Sequence, residues 1–368
     1  MLERFERLCG IASPTGSERD VADAVLAELR TPGLGIEAAE DSMAAAARAG
    51  AGNLLARLPG RGDGWVMFCA HLDTVPHEEP IEVVERDGYF ESAGETILGA
   101  DNKAAVAVLI ELLVGAAEAP EPPPVGIELL LTVAEEDGLR GAHAVDVEAL
   151  RSEFGFVLDH ATPVGEIITA APTYKRLIAD FSGVEAHAGI RPEQGSSAIE
   201  AASAAIAGME LGRLDPETTA NVGVISGGSA SNVVAGACRI EGEARSIEYG
   251  LAEEVLMRMV DACQWAAGEG RCDVDVEIAE LFRGYRVKPG SKPLAVARAA
   301  LERSGIEPRE VATGGGSDAN ALRARGFDAM LLANGTEANH TPAERVAVAE
   351  LGRMLAVCEA IVEETAAC

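Results

Sequence analysis

The sequence predicts an α/β fold with a mainly parallel central sheet flanked by helices, interrupted by an inserted ferredoxin-like (βαββαβ) domain. Three observations predict it. Apolar strand-like runs alternate with helical segments up to about residue 172. From Tyr174 the order becomes strand, helix, strand, strand, helix, strand, the split-βαβ pattern. After Arg283 the α/β rhythm returns. The outer domain is therefore read as residues 1–172 and 286–368, and the insert as 173–285.

Each element follows from its local pattern. "MLERFERLCG" is an amphipathic, charged opening without the apolar core of a signal peptide. "SERDVADAVLAELR" reads as a helix opened by Ser17, with its apolar residues on one stripe. "WVMFCAH" is an apolar strand ending at His71. "DNKAAVAVLIELLVGAAEA" is a buried helix stopped by the prolines at 120–124. "VGIELLLTVAEE" and "FGFVLDH" are further strands. In the insert, "YKRLIADFSGVEAHA" is a strand and Ser196 to Gly212 an Ala-rich helix. "TTANVGVIS" and "ACRIEGEARSIE" are strands, Leu251 to Ala267 a helix, and "CDVDVEIAELF" a strand. A helix over 291–304, the turn "TGGGSDAN", the strand "AMLLAN" and a closing helix from about Pro342 complete the chain.

Composition narrows the function classes. A length of 368 residues suits two domains, and 48% apolar residues suffice for two cores. No apolar run approaches the roughly 20 residues of a membrane span, so the expected location is the cytoplasm. The formal charge of −30 repels nucleic acid and anionic membranes, and attracts cations. The seven cysteines, Cys9, Cys69, Cys238, Cys263, Cys272, Cys358 and Cys368, are odd in number and include no CxxC. That argues against a disulfide framework and against a thiolate zinc site.

The chemistry gathers at strand ends and turns. His71 and Asp73 follow one strand, and residues i and i+2 of a strand share a face. That pair alone fits a polar loop, a structural hydrogen bond, or a metal-ligand histidine with its orienting carboxylate. Asp101 opens the helix of "LGADNKA", Glu135 and Glu136 end "LLLTVAEE", Asp159 ends "FGFVLD", and His340 follows "LLANGTEANHTP". Sites in open α/β sheets form outside the carboxyl ends of the strands. One acidic strand end is an ordinary solvated turn; two histidines and four carboxylates converging there make a metal site. Imidazole and carboxylate without thiolate suit zinc, with cobalt or manganese as substitutes. Two metals sharing a bridging carboxylate need about five protein ligands, which leaves one carboxylate as a general base.

The order "HLDTVP", "GADNKAA", "AEEDGLRGA", "VLDH", "AHAG", "SASNVVAG", "GGGSDANAL" and "NHTP" resembles the peptidase T-like branch of the di-zinc aminoacylase/carboxypeptidase/tripeptidase metallopeptidases, nearly end to end. The resemblance implies that His71, Asp101 and Asp159 hold one zinc, and that Asp101, Glu136 and His340 hold the other. Asp101 bridges, Asp73 orients His71, and the Asp101–Asn102 peptide is cis. It implies attack by a metal-bridged water with Glu135 as the base. It makes the outer domain catalytic, and the insert a lid through which two chains form a homodimer. His187 would then reach across to the partner's site as an oxyanion donor.

The remaining residues carry two readings each. His187 alone is an ordinary strand-end histidine, and Arg245 a solvated strand residue. Asn232 alone caps a turn, and Gly314, Gly315 and Gly316 form either a flexible turn or a row of N–H groups for an anion. The resemblance implies that Arg245 holds a substrate carboxylate, for which a guanidinium fork is suited, and that Asn232 touches substrate. His77 and His143 are expected on the surface, and His160 in a structural role.

The implied activity is hydrolysis of short peptides, most like a tripeptide aminopeptidase, because Asp159 rather than Glu as terminal ligand resembles that branch. The alternatives are a di-zinc deacylase or carboxypeptidase of the same family, and an inactive binding protein on the same fold. The intact set of His71, Asp101, Glu135, Glu136, Asp159 and His340 argues against the last.

Overall fold

A strand buried on both faces must be apolar at nearly every position, and four segments here are. Trp65–His71, Gly126–Thr132, Phe154–His160 and Asp328–Ala333 form the parallel centre of the main sheet in a computed structural model that describes residues 1–367. Their order across the sheet is Gly126–Thr132, Trp65–His71, Phe154–His160, Asp328–Ala333. Antiparallel strands extend both edges: Leu54–Leu58 and Glu37–Glu40 on one side, Glu166–Ala171 on the other. The helix Ala100–Glu118 is buried along most of its length to Leu113 and packs against the helix Val348–Ala367. The fold is therefore α/β with a central parallel sheet flanked by helices.

The chain divides into two compact units. The first comprises Met1–Thr169, Val287–Ala312 and the chain from Ser317 onward; the second comprises Ala170–Arg286 with Thr313–Gly316. In the second, a five-stranded antiparallel sheet runs Gly212–Asp215, Thr218–Gly227, Ala237–Ser246, Thr173–Ser182, Asp273–Phe282. The helices Ala198–Gly208 and Tyr249–Glu269 cover it. Ala198, Ala201, Ala202 and Ala205 are buried with Leu177, Phe181, Ile240 and Met259 in one core. Small residues there let the helix lie close to the sheet.

Several elements differ from the sequence expectation. The insert has an additional short strand, Gly212–Asp215, because the Ala-rich helix stops at Gly208 and the chain turns back at Asp215, whose Oδ1 accepts the Glu217 N–H at 2.8 Å. The helix expected over "SERDVADAVLAELR" spans Arg19–Leu29, and Ser17 does not cap it. Glu18 precedes it instead, its carboxylate turned to the N–H groups of Gly16 and Gly50 at 2.9 and 2.6 Å. The closing helix begins at Val348, not Pro342, because Arg345–Ala347 joins a second sheet. That four-stranded sheet, Thr336–Glu337, Arg345–Ala347, Tyr89–Ser92 and Val83–Arg86, has no counterpart in the sequence reading. Among the described cysteines, Cys9, Cys69, Cys238, Cys263 and Cys358 are buried and Cys272 half-buried, all as free thiols; Cys368 lies outside the described residues.

Candidate metal centre

Parallel strands place their carboxyl ends on one edge, and that edge of the first unit carries the polar cluster. His71 is the last residue of its strand, Glu135 and Glu136 follow Gly126–Thr132, and Asp159 lies at the end of Phe154–His160. Asp101 sits at the start of the helix Ala100–Glu118, where Asp101 and Asn102 leave helical geometry and are joined by a cis peptide. His340 lies in the turn before Arg345–Ala347, with a left-handed φ of 64°.

The two oxygens of Asp101 face different groups. Oδ1 lies 3.3 Å from His71 Nε2, which is also 3.5 Å from Asp159 Oδ1. Oδ2 lies 3.1 Å from His340 Nε2, which is 3.0 Å from Glu136 Oε1. The ligand atoms of His71, Asp101 and Asp159 lie within 4.8 Å of one another, as do those of Asp101, Glu136 and His340, and those of His71, Glu135 and Glu136.

The donor chemistry fits a cation. His71 Nδ1 meets the main-chain oxygen of Asp73 at 2.9 Å. A carbonyl only accepts, so Nδ1 carries the proton, and in a neutral ring Nε2 is left as an acceptor. That acceptor faces two carboxylate oxygens, an arrangement relieved only by a proton or a cation. Charge crowding says the same. Burial, with the charge of Asp159, holds the Glu135 carboxyl well above the usual range. Burial raises Asp159 to about 8, against the opposing pull of His71. Asp101 is largely buried, which would raise it, yet hydrogen bonds from His340 and His71 hold it well below the usual range. Hydrogen bonds to Asp101 and Glu136 raise His340 to about 10. The cluster is short of positive charge, which divalent ions would supply.

Asp73 does more than face His71. Its Oδ1 accepts the Glu135 N–H at 3.0 Å, and its Oδ2 accepts the Glu136 N–H at 3.2 Å and the Thr15 hydroxyl at 2.7 Å. One buried carboxylate therefore fixes the turn carrying both glutamates.

Two further residues gained no role from the sequence. Asn102, fully buried, donates from Nδ2 to Asp159 Oδ1 at 3.2 Å. Asp318, also buried, accepts the Thr132 hydroxyl, and burial raises its carboxyl to about 6. Their only signal was membership of "GADNKA" and "GGGSDANAL". His160 is half-buried, with Nε2 3.8 Å from Glu166 Oε2. His77 and His143 are half-buried rather than fully exposed.

His187, Asn232, Arg245 and Gly314–Gly316 belong to the second unit. His187 is exposed and bridges Val233 through the main chain, while Ala188 N–H donates to the Asn232 oxygen at 3.0 Å. Arg245 is engaged: Nε and Nη2 donate to the two carboxylate oxygens of Glu243 at 3.0 Å each, and its guanidinium lies 4.2 Å over the Tyr174 ring. Nη1 donates to the Gly314 oxygen at 3.2 Å. The glycine turn is not a free row of donors, because Gly315 N–H already donates to Thr313 Oγ1 at 3.1 Å. Gly316 is required by packing, since a Cβ there would lie 2.2 Å from the Phe282 ring.

Residues 67–364 match Peptidase family M20/M25/M40. The chain belongs to this family. That makes it a metallopeptidase, and its likeness to the following aminopeptidase and tripeptidase structures puts it in the peptidase T-like branch. The chain is 39% identical to aminopeptidase PepT from Bacillus cereus ATCC 10987, with a TM-score of 0.89 over 99% of this chain and 98% of that one. It is 31% identical to a tripeptidase from Staphylococcus aureus subsp. aureus Mu50, with a TM-score of 0.94 over 100% and 98%. It is also 38% identical to the protein YqjE of Bacillus subtilis (strain 168), over 100% of this chain and 98% of that protein.

Proposed function

We propose that this M20/M25/M40 peptidase is a tripeptide aminopeptidase working with two divalent ions, zinc or in its place cobalt or manganese. The observation that carries the reading is the split of Asp101, one oxygen toward His71 and Asp159, the other toward His340 and Glu136. His71, Asp101 and Asp159 would hold one ion, and Asp101, Glu136 and His340 the other. Ions bound there supply Lewis acidity to the attacking water and the scissile carbonyl.

The protein's own groups do the rest. Glu135 accepts the proton of the attacking water and passes it to the leaving amine nitrogen. Asp73 holds His71 in one tautomer and keeps the Glu135–Glu136 turn in place. His187 donates an N–H to the tetrahedral oxygen. Arg245, Asn232 and Gly314–Gly316 contact the substrate, and Arg245 must exchange part of its pairing with Glu243 to hold a peptide carboxylate.

The enzyme acts in the cytoplasm as a homodimer through its second unit. Exposed Val224 and Ile225 on the strand Thr218–Gly227 support a self-pairing surface. Among the described residues no helix is long and apolar enough to cross a membrane. The charge of −30 disfavours nucleic-acid and membrane partners.

The substrate reading is tested by hydrolysis of Ala-Ala-Ala, Ala-Ala, N-acetyl-Ala and an N-blocked tripeptide with Zn²⁺, Co²⁺ or Mn²⁺. The free tripeptide should be preferred; preference for N-acetyl-Ala would make the enzyme a deacylase. Action of His187 across the dimer is tested by co-expressing differently tagged Asp101→Ala and His187→Ala chains. Random pairing makes half the dimers mixed, each with one complete site of two, so at most roughly a quarter of wild-type activity should return. Purified mixed dimers as inactive as both parents would restrict His187 to its own subunit or to the structure of its unit.

A further inference from the structure

Glu344 lies four residues after His340 and is 2% exposed. A buried carboxylate is costly unless its oxygens are hydrogen-bonded. Here Oε2 accepts the N–H groups of Leu98 and Gly99 at 2.8 and 2.9 Å, and Oε1 accepts the Asp101 N–H at 2.8 Å. The Glu344 N–H in turn donates to the Thr341 oxygen at 3.0 Å, closing a turn over 341–344 directly after His340. These donors belong to the segment entering the helix Ala100–Glu118, where N–H groups lack partners within the helix.

One side chain thus clamps the Asp101 backbone to the turn that follows His340. Asp101 and His340 share one candidate cluster with Glu136, and Asp101 alone of the two also belongs to the cluster of His71 and Asp159. Neither His71 nor Asp159 is bonded to Glu344 in this way.

We propose that Glu344 is a positioning residue that sets the spacing of Asp101 and His340, and so the affinity of the Asp101–Glu136–His340 position for its ion. This rests on the two-ion reading. The carboxylate is suited to the task because three donors need acceptors at both oxygens. In Glu344→Gln the amide places N–H groups where an acceptor is required, so either the Asp101 N–H or the Leu98 and Gly99 pair faces a donor. The segment must shift, and Asp101 shifts with it. Loss of a partner that orients a ligand typically costs about 10–100-fold in metal affinity.

The test is a Co²⁺ titration of the metal-free full-length protein, followed by visible absorption and calorimetry. Wild type should bind two ions in two resolvable steps. In Glu344→Gln one step should weaken by about 10–100-fold and the other clearly less, because Asp101 touches both positions but His340 only one, and activity should return toward wild type at raised Co²⁺. Glu344→Asp, which keeps the charge but not the reach, should weaken the same step; if the Gln variant does not fold, the Asp variant decides. Two wild-type steps with neither shifted, or both shifted equally, in the folded variant would overturn the positioning role. Saturation of the wild type at one ion per chain would instead overturn the two-ion reading beneath it.

Discussion

Replacing Glu135 by Gln is expected to lower kcat by at least about 10²-fold while metal content stays at the wild-type value. The amide keeps the shape of the side chain but cannot accept a proton. Its place is set by Asp73, whose Oδ1 takes the Glu135 N–H at 3.0 Å, so the substitution should leave the turn intact. The neighbouring Glu136 gives the contrast. Its Oε1 lies 3.0 Å from His340, and Glu136→Gln should weaken one ion, with activity partly recovered at higher metal concentration. The pair needs this separation because Glu135, Glu136 and His71 also place ligand atoms within 4.8 Å of one another. If Glu135→Gln loses metal and regains full activity when metal is resupplied, the two roles are reversed.

Asp101→Ala should have the second large effect. It removes an oxygen from both clusters at once, while Glu136→Gln or His340→Ala touches one. Metal polarisation is worth several kcal/mol of transition-state stabilisation, and each 1.36 kcal/mol is tenfold in rate. A fall of at least about 10³-fold in kcat/KM is therefore expected. Stability offers an independent readout. An ion at about 1,000 times its Kd stabilises the folded chain by about 4 kcal/mol per site. Wild type should gain strongly in urea midpoint on adding Zn²⁺, and Asp101→Ala much less. Equal gains with zinc in both proteins would show that Asp101 is not a ligand.

How much of this was legible in the sequence depended on whether the cause was local. The four parallel strands announced themselves because burial on both faces demands nearly continuous apolar runs, and "WVMFCAH" and, apart from the buried Glu128, "GIELLLT" are such runs. The polar residues just beyond them were visible for the same reason. The sheet joining Val83–Ser92 to Thr336–Ala347 was not, since its strands are only two to four residues long and the pairing that joins its two local hairpins, Tyr89–Ser92 with Arg345–Ala347, spans more than 250 residues of chain. One local signal for it was present: Asp87–Gly88, both at positive φ of 51° and 81°, is a strong tight-hairpin pair. The Gly212–Asp215 strand was hidden behind an Ala-rich stretch that reads as continuing helix. Asn102, Asp318 and Glu344 act through hydrogen bonds to residues 57, 186 and 243–246 positions away. No spacing or periodicity along the chain encodes such partners.

The central claim is that one carboxylate, Asp101, joins two ion positions. Metal analysis of the wild-type chain, saturated with zinc and then desalted, tests it most directly. The account predicts about two zinc ions per chain. Saturation at one ion in normally folded protein would contradict it.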